Sequence, residues 1–341
     1  LPMNWLLLFI PITLALEHFG VPPTVLFFSA AIAIVPIAAL IVHATEQVAS
    51  RTGEAVGGLL NATFGNAPEL IICLVALKAG YLEMVRAALI GGILANLLLA
   101  MGASFFLGGL RHHKQNFNAN AARLYSSTML LAVVSMAIPS AFSRAFAPEG
   151  VVREEQMLNI GIAVILLFAY GLYLLFSLKT HPEAFASAVV SGEGESDEHS
   201  HGDGKVWSLQ RAIGSLVGAS VLAAWMSEIL VGAAEGTGKA LGMSEVFIGV
   251  VFLAVIGGAA ESGSAITVAR RNRMDLSIGI ALGSCIQIAL FLAPVLVLAS
   301  YFIAPQPLEL SFSRAELGAL AFGVLAGAFV FSDGQSNWFK G

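Results

Sequence analysis

Apolar residues run along this chain in ten long stretches separated by short polar breaks. The stretches cover residues 3–18, 24–49, 57–79, 84–110, 124–144, 156–178, 208–235, 245–269, 275–303 and 315–333. A helix of about 20 apolar residues spans a hydrocarbon core. None of the stretches alternates polar and apolar residues as a membrane barrel strand does. The pattern therefore predicts an all-α integral membrane protein with about ten transmembrane helices. The first apolar core, Trp5–Leu16, is short, and it lacks the basic lead and Ala-x-Ala exit of a signal peptide. It reads as a short first membrane helix.

One polar interruption is much longer than the rest. His181–Lys205 contains Glu193, Glu195, Asp197 and Glu198, with His181, His199 and His201 around them. Such composition predicts a solvated linker. Its acidic residues are candidates for regulation, and its histidines read as solvated rather than metal-binding. Of the 17 Lys and Arg, eleven lie in or beside the loops after helices 2, 4, 6, 8 and 10, and six in or beside the others. The positive-inside rule then puts the N-terminus and the linker in the cytoplasm.

Composition agrees with the hydropathy pattern. The chain of 341 residues is 57% hydrophobic and only 11% charged, whereas a soluble domain carries about 25% charged residues. The net charge of -5 gives no ground for a nucleic-acid partner. Cys73 and Cys285 both fall in apolar helices, which argues against a disulfide framework.

Two apolar stretches carry a glutamate in their middle. Glu69 ends Gly65-Asn66-Ala67-Pro68-Glu69, and Glu261 ends Gly257-Gly258-Ala259-Ala260-Glu261. A charged side chain at bilayer depth costs about 2.5–3.5 kcal/mol on insertion scales, so each is a candidate functional residue. The two segments align with one another. Gly92 then pairs with Gly283 and Asn96 with Gln287, and upstream Thr45-Glu46 pairs with Ser227-Glu228. A five-helix unit reverses its orientation when repeated. The chain therefore divides into an extra N-terminal helix (1–20), a first repeat (21–180), the acidic linker (181–207) and a second repeat (208–341). Inverted repeats of this kind hold their site near the midplane at the repeat interface.

The residues around the glutamates suit a hard cation. Pro68 removes the N–H that the carbonyl of Phe64 would use, and Gly65 weakens the same turn. Gly257 and Gly258 give similar backbone freedom in the second copy. Freed carbonyls at bilayer depth need protein, water or an ion. Ca²⁺ takes six to eight oxygen ligands, and two carboxylates would neutralise it. Asn66 shares a helix face with Glu69. Asn96 and Gln287 are amides inside helices, each preceded at i−4 by a glycine that would allow close helix approach, and Ser284 sits near Gln287. An empty buried carboxylate gives up its charge by taking a proton, so Ca²⁺ and H⁺ would compete for Glu69 and Glu261. Glu46 and Glu228 are candidates for a proton relay or gate, with His43 one turn from Glu46. Asn61-Ala62-Thr63 matches a glycosylation acceptor but lies within a membrane helix, so that reading is discarded.

The run Gly58–Ile72 resembles the first signature repeat of the Ca²⁺/proton antiporters, the CAX branch of the cation/Ca²⁺ exchanger superfamily. Gly257–Thr267 resembles the second, and 274–284 and 333–338 extend the likeness. The resemblance implies eleven helices: one extra N-terminal helix and two inverted five-helix repeats. Since the chain stops at Gly341, the last helix is expected to be missing. It also implies that Glu69 and Glu261 bind Ca²⁺ and are protonated on the return. The helices bearing Asn96 and Gln287 would line the site, and helices 2 and 7 would switch access. Here the second repeat departs from the family at Gly258, where Asn is common, and at Ser262, where His is common. The expected activity is export of cytosolic Ca²⁺ in exchange for H⁺, in the cell membrane of a prokaryote or a vacuole-like membrane of a eukaryote. Ca²⁺ and H⁺ would be cargo, and no cofactor is implied. Oligomeric state stays open. A Na⁺-coupled exchanger is the nearest alternative, and a passive channel a more distant one. An enzyme is not expected, because neither His-Glu-x-x-His nor Gly-x-Gly-Asp occurs.

Overall fold

A computed structural model describes residues 3–52, 54–146, 152–181 and 207–341. Glu193, Glu195, Asp197, Glu198, His199 and His201 lie outside them. The described chain is almost entirely helical. After a 3₁₀ turn at Met3–Leu8 come α1 (Phe9–His18), α2 (Pro23–Ala49), α3 (Glu54–Phe64), α4 (Ala67–Lys78), α5 (Leu82–His112), α6 (Ala119–Phe146) and α7 (Val152–Leu175). Beyond the linker follow α8 (Leu209–Leu241), α9 (Glu245–Gly257), α10 (Ala259–Ala269), α11 (Met274–Ile303) and α12 (Arg314–Val330). Six of these are long and apolar enough to cross a membrane singly, and α9 with α10 makes a seventh, broken span. Helical structure occupies most of each apolar stretch read from the sequence. Two stretches, 57–79 and 245–269, are interrupted instead of continuous. Cys73 and Cys285 are buried and free.

Contacts divide the chain into two compact units, residues 1–88 with 195–260 and residues 89–194 with 261–341. In the first, α8 packs along α2. The rings of Phe27 and Phe28 both meet Phe252 edge-on, at 5.5 and 5.6 Å. Helix association in lipid relies on close van der Waals packing and small residues. Gly249 supplies this: a Cβ there would collide with the carbonyl oxygen of Met84. Trp207, the last residue of the linker, is held at the end of α2. The N–H of Trp207 donates to Gln47 Oε1 at 3.0 Å, its carbonyl accepts from Arg51, and its ring meets His43 and Arg211.

In the second unit the extended segment 304–313 is threaded between helices by polar side chains. Leu310 N–H donates to Asn159 Oδ1 at 3.0 Å, and Phe312 N–H donates to Ser140 Oγ at 2.8 Å. Ser140 returns its own proton to the carbonyl of Leu310 at 3.1 Å. Buried backbone groups of a non-helical segment are thereby satisfied, as membrane depth demands. Ser313 and Glu316 then form a capping box that starts α12. A two-residue antiparallel pairing joins Gln115 to Ser336 and Asn116 to Gln335.

The last residues are held by charge. Lys340 Nζ contacts both carboxylate oxygens of Asp333 at 2.6 Å and the carbonyl of Gln335 at 2.8 Å. The ammonium holds the Asp333 carboxyl below its usual range. A depressed carboxylate contributes stability above its ordinary pKa, and that contribution is lost as pH falls through the lowered value. Lys340→Met should move the Asp333 titration upward towards the ordinary aspartate range, read by NMR of ¹³C-labelled aspartate. An unchanged Asp333 titration in that variant would show that Lys340 does not set it.

Candidate cation site

Both glutamates occupy the same position in a broken helix. Apolar residues carry α3 as far as Phe64. Gly65 N–H still bonds back to the carbonyl of Asn61 at 2.9 Å, and Asn66 then leaves helical geometry at φ -90°, ψ 20°. Ala67 and Pro68 open α4 and Glu69 is its third residue. Proline is well placed there, since the first turn of a helix has no use for its missing N–H. In the second copy α9 ends at Gly257, Gly258 takes φ -78°, ψ 6°, and α10 begins at Ala259. Glu261 is again the third residue. Each carboxylate thus stands in the first turn of a half-helix, where free N–H groups and the helix dipole favour negative charge. The carbonyl end of the preceding half-helix favours positive charge in the same way.

The first unit holds Glu69 and Asn66 well inside, at 6% and 1% exposed. Gly257 lies against the glutamate. A Cβ on Gly257 would be 2.8 Å from Glu69 Cγ and 3.4 Å from its Cα and Cδ. The bare backbone of one broken helix therefore makes room for the acid of the other.

The second unit arranges a chain of hydrogen bonds around Glu261. Asn96 Nδ2 donates to Ser284 Oγ at 3.0 Å. With its oxygen so used, the Ser284 hydroxyl donates to the Glu261 carboxylate. Ser262 Oγ makes a longer 3.5 Å contact to Asn96 Oδ1. Glu261 Oε2 is buried and has no hydrogen-bond partner among the described residues. A buried acceptor of this kind is costly unless something meets it.

Other expected residues fall differently. Asn96 is buried, whereas Gln287 is only half-buried. Gly92 does sit close to a neighbour, 3.0 Å from Ile288 Cδ1 for a Cβ, but nothing lies within 4 Å of one on Gly283. Close helix approach at Gly283 is thus not observed. Thr45 and Ser227 are buried, while the adjoining Glu46 and Glu228 are exposed. Glu46 lies 3.6 Å from His43 Nδ1, and Glu228 lies 3.8 Å from Lys78 Nζ.

Sequence reasoning missed a feature shared by both copies. The helices widen into π turns at Ala95–Ala100 and Ile288–Leu292, beside Asn96 and Gln287. Such turns often mark functional positions. Pro294 announces the second, because it leaves the Leu290 carbonyl without a helical donor. No comparable residue announces the first.

Residues 22–179 and 211–341 match the sequence model of the family described as sodium/calcium exchanger protein. The chain belongs to the sodium/calcium exchanger family. This family member is 42% identical to the Ca(2+)/H(+) antiporter of Aphanothece halophytica, over 98% of this chain and 91% of that protein. It is 40% identical to the Ca(2+)/H(+) antiporter ChaA of Bacillus subtilis, over 94% and 88%. Its fold matches the structure of native YfkE with a TM-score of 0.83 and 36% identity, covering 99% of this chain and 94% of that one. With its apolar spans, it is an integral membrane protein.

Proposed function

We propose that this protein is a secondary active antiporter that exports Ca²⁺ from the cytoplasm in exchange for protons. Glu69 and Glu261 bind the cation and take up protons on the return. The observation that carries the reading is the matched placement of the two acids, each third in a half-helix that follows a break. Half-helix ends at membrane depth supply dipoles and free backbone oxygens without a lipid-exposed polar backbone. The names of the relatives support the same pair of ions.

Asn66, Asn96, Ser284 and Gln287 line the path of the ion, together with the backbone at Gly65, Gly257 and Gly258. Ser284 orients the Glu261 carboxylate through its hydroxyl. The chain comprises an N-terminal helix, two inverted repeats and a cytoplasmic acidic linker whose Glu193, Glu195, Asp197 and Glu198 tune the rate. The N-terminus lies in the cytoplasm. Glu46 and Glu228 act at the approaches to the site. Exchange is obligatory because an empty, charged site carries a desolvation penalty that blocks the switch between inward and outward access.

Purified protein in proteoliposomes with an imposed pH gradient tests this, with Ca²⁺ uptake and lumenal pH followed together. Uptake should require the gradient and dissipate it without any Na⁺. Uptake that follows Na⁺ and ignores the pH gradient would place the protein with sodium-coupled transport. Ca²⁺ flux without proton counterflow would make it a channel.

A further inference from the structure

At the end of α5, within the second unit, an open cavity of about 420 Å³ is lined by Leu107, Leu110, Arg111 and Arg270. Two of these residues are apolar and exposed on the last turns of a membrane-spanning helix. The other two are guanidinium groups at the ends of α5 and α10. Neither arginine has an ion pair among the described residues, and no carboxylate lines the cavity.

The two arginines are brought together by a built junction. Gly108 lets the chains meet: a Cβ there would lie 3.1 Å from the carbonyl oxygen of Ala269 and would collide with the Gln115 side chain. Gln115 Nε2 donates to that same carbonyl at 2.8 Å and to Asn272 Oδ1 at 3.1 Å. His112 Nε2 lies 3.0 Å from the carbonyl of Arg270. The turns on either side contain His113 at φ 57° and Asn272 at φ 62°, the two non-glycine residues with positive φ among the described residues. Such backbone persists only where its surroundings enforce it. The enforced result is a pair of unpaired guanidiniums beside a greasy wall at a membrane boundary.

We infer that this cavity is a binding site for an anionic phospholipid, with the phosphodiester held by Arg111 and Arg270 and an acyl chain lying on Leu107 and Leu110. Arginine forks match phosphate oxygens in a bidentate manner. The leucines favour a lipid over a free anion. Without a carboxylate, nothing in the lining would receive the ammonium of a zwitterionic headgroup, and nearby Lys114 and Arg271 add positive potential. The inference does not depend on the transport reading.

The test uses the full chain purified in a neutral detergent. Thermal unfolding is followed with added phosphatidylglycerol, phosphatidylcholine or inorganic phosphate, for the wild type, Arg111→Gln/Arg270→Gln and the equal-charge control Lys114→Gln/Arg271→Gln. Phosphatidylglycerol should raise the wild-type midpoint well above the phosphatidylcholine value. The arginine pair variant should lose that increment and the control should keep it. Equal loss in both variants would reduce the effect to general surface charge and overturn the site. The same increment from inorganic phosphate alone would reassign the cavity to a free anion. If the pair variant does not fold, the wild type still decides the matter. Protein taken from equimolar vesicles should retain phosphatidylglycerol over phosphatidylcholine by roughly tenfold or more, and equal retention would overturn the proposal.

Discussion

Glu69→Gln and Glu261→Gln should each abolish Ca²⁺ uptake driven by a pH gradient. Glutamine keeps the volume and a carbonyl oxygen, so the local packing at Gly257 and the Ser284 hydrogen bond survive. What is lost is one negative charge facing a divalent ion and one group that can carry a proton. Removing one partner of a buried charge pair costs about 3–5 kcal/mol, which corresponds to a loss of roughly 100-fold or more in binding. Either variant should unfold near the wild-type temperature while transport falls to background. Wild-type transport in either one would sink the assignment of both acids to the ion.

Gly257→Val should lower transport at least about tenfold, through Glu69. A side chain at Gly257 enters space already occupied by Glu69 Cγ, 2.8 Å from the new Cβ. The carboxylate can rotate away, but its Cα at 3.4 Å is fixed in α4. The acid must then leave its position, and displacements of about 1 Å cost such sites heavily. Gly283→Ala is the internal contrast: its Cβ meets nothing within 4 Å, so uptake should stay near wild type. Paired uptake assays decide the point. Equal activities in the two variants would mean that the contact between Gly257 and Glu69 has no bearing on transport.

Much of this was legible along the chain because membrane helices must be long and apolar, and because a carboxylate at that depth is conspicuous. The break before Glu69 could be read from Gly65 and Pro68, and the one before Glu261 from Gly257-Gly258. The equivalence of the two acids as third residues of half-helices needed coordinates, since a helix start is set by dihedrals at Asn66 and Gly258 that no local rule dictates. The reading of Gly283 as a close-contact residue failed for a related reason. Glycine permits close approach, but whether a neighbour arrives depends on the rotation of the whole helix. The pairing of 115–116 with 335–336 was invisible, because two-residue strands carry no periodicity. So was the role of Ser140 and Asn159 in threading 304–313, which depends on contacts between residues more than 150 positions apart.

The two compact units are each assembled from both halves of the chain, residues 1–88 with 195–260 and 89–194 with 261–341. This has a consequence for biosynthesis. When a ribosome has made the residues up to the acidic linker, neither unit has all its parts, however many helices have entered the bilayer. The first unit waits for α8 and α9, and the second waits for α10, α11 and α12. At about 5–20 residues per second, the early helices spend on the order of ten seconds in the membrane without their partners. Glu69 is inserted in that interval, before the chain that supplies Gly257 exists. A gene for the first half alone should therefore yield a chain exposed to quality control, and the two halves made as separate polypeptides would have to find each other in the bilayer before either could mature.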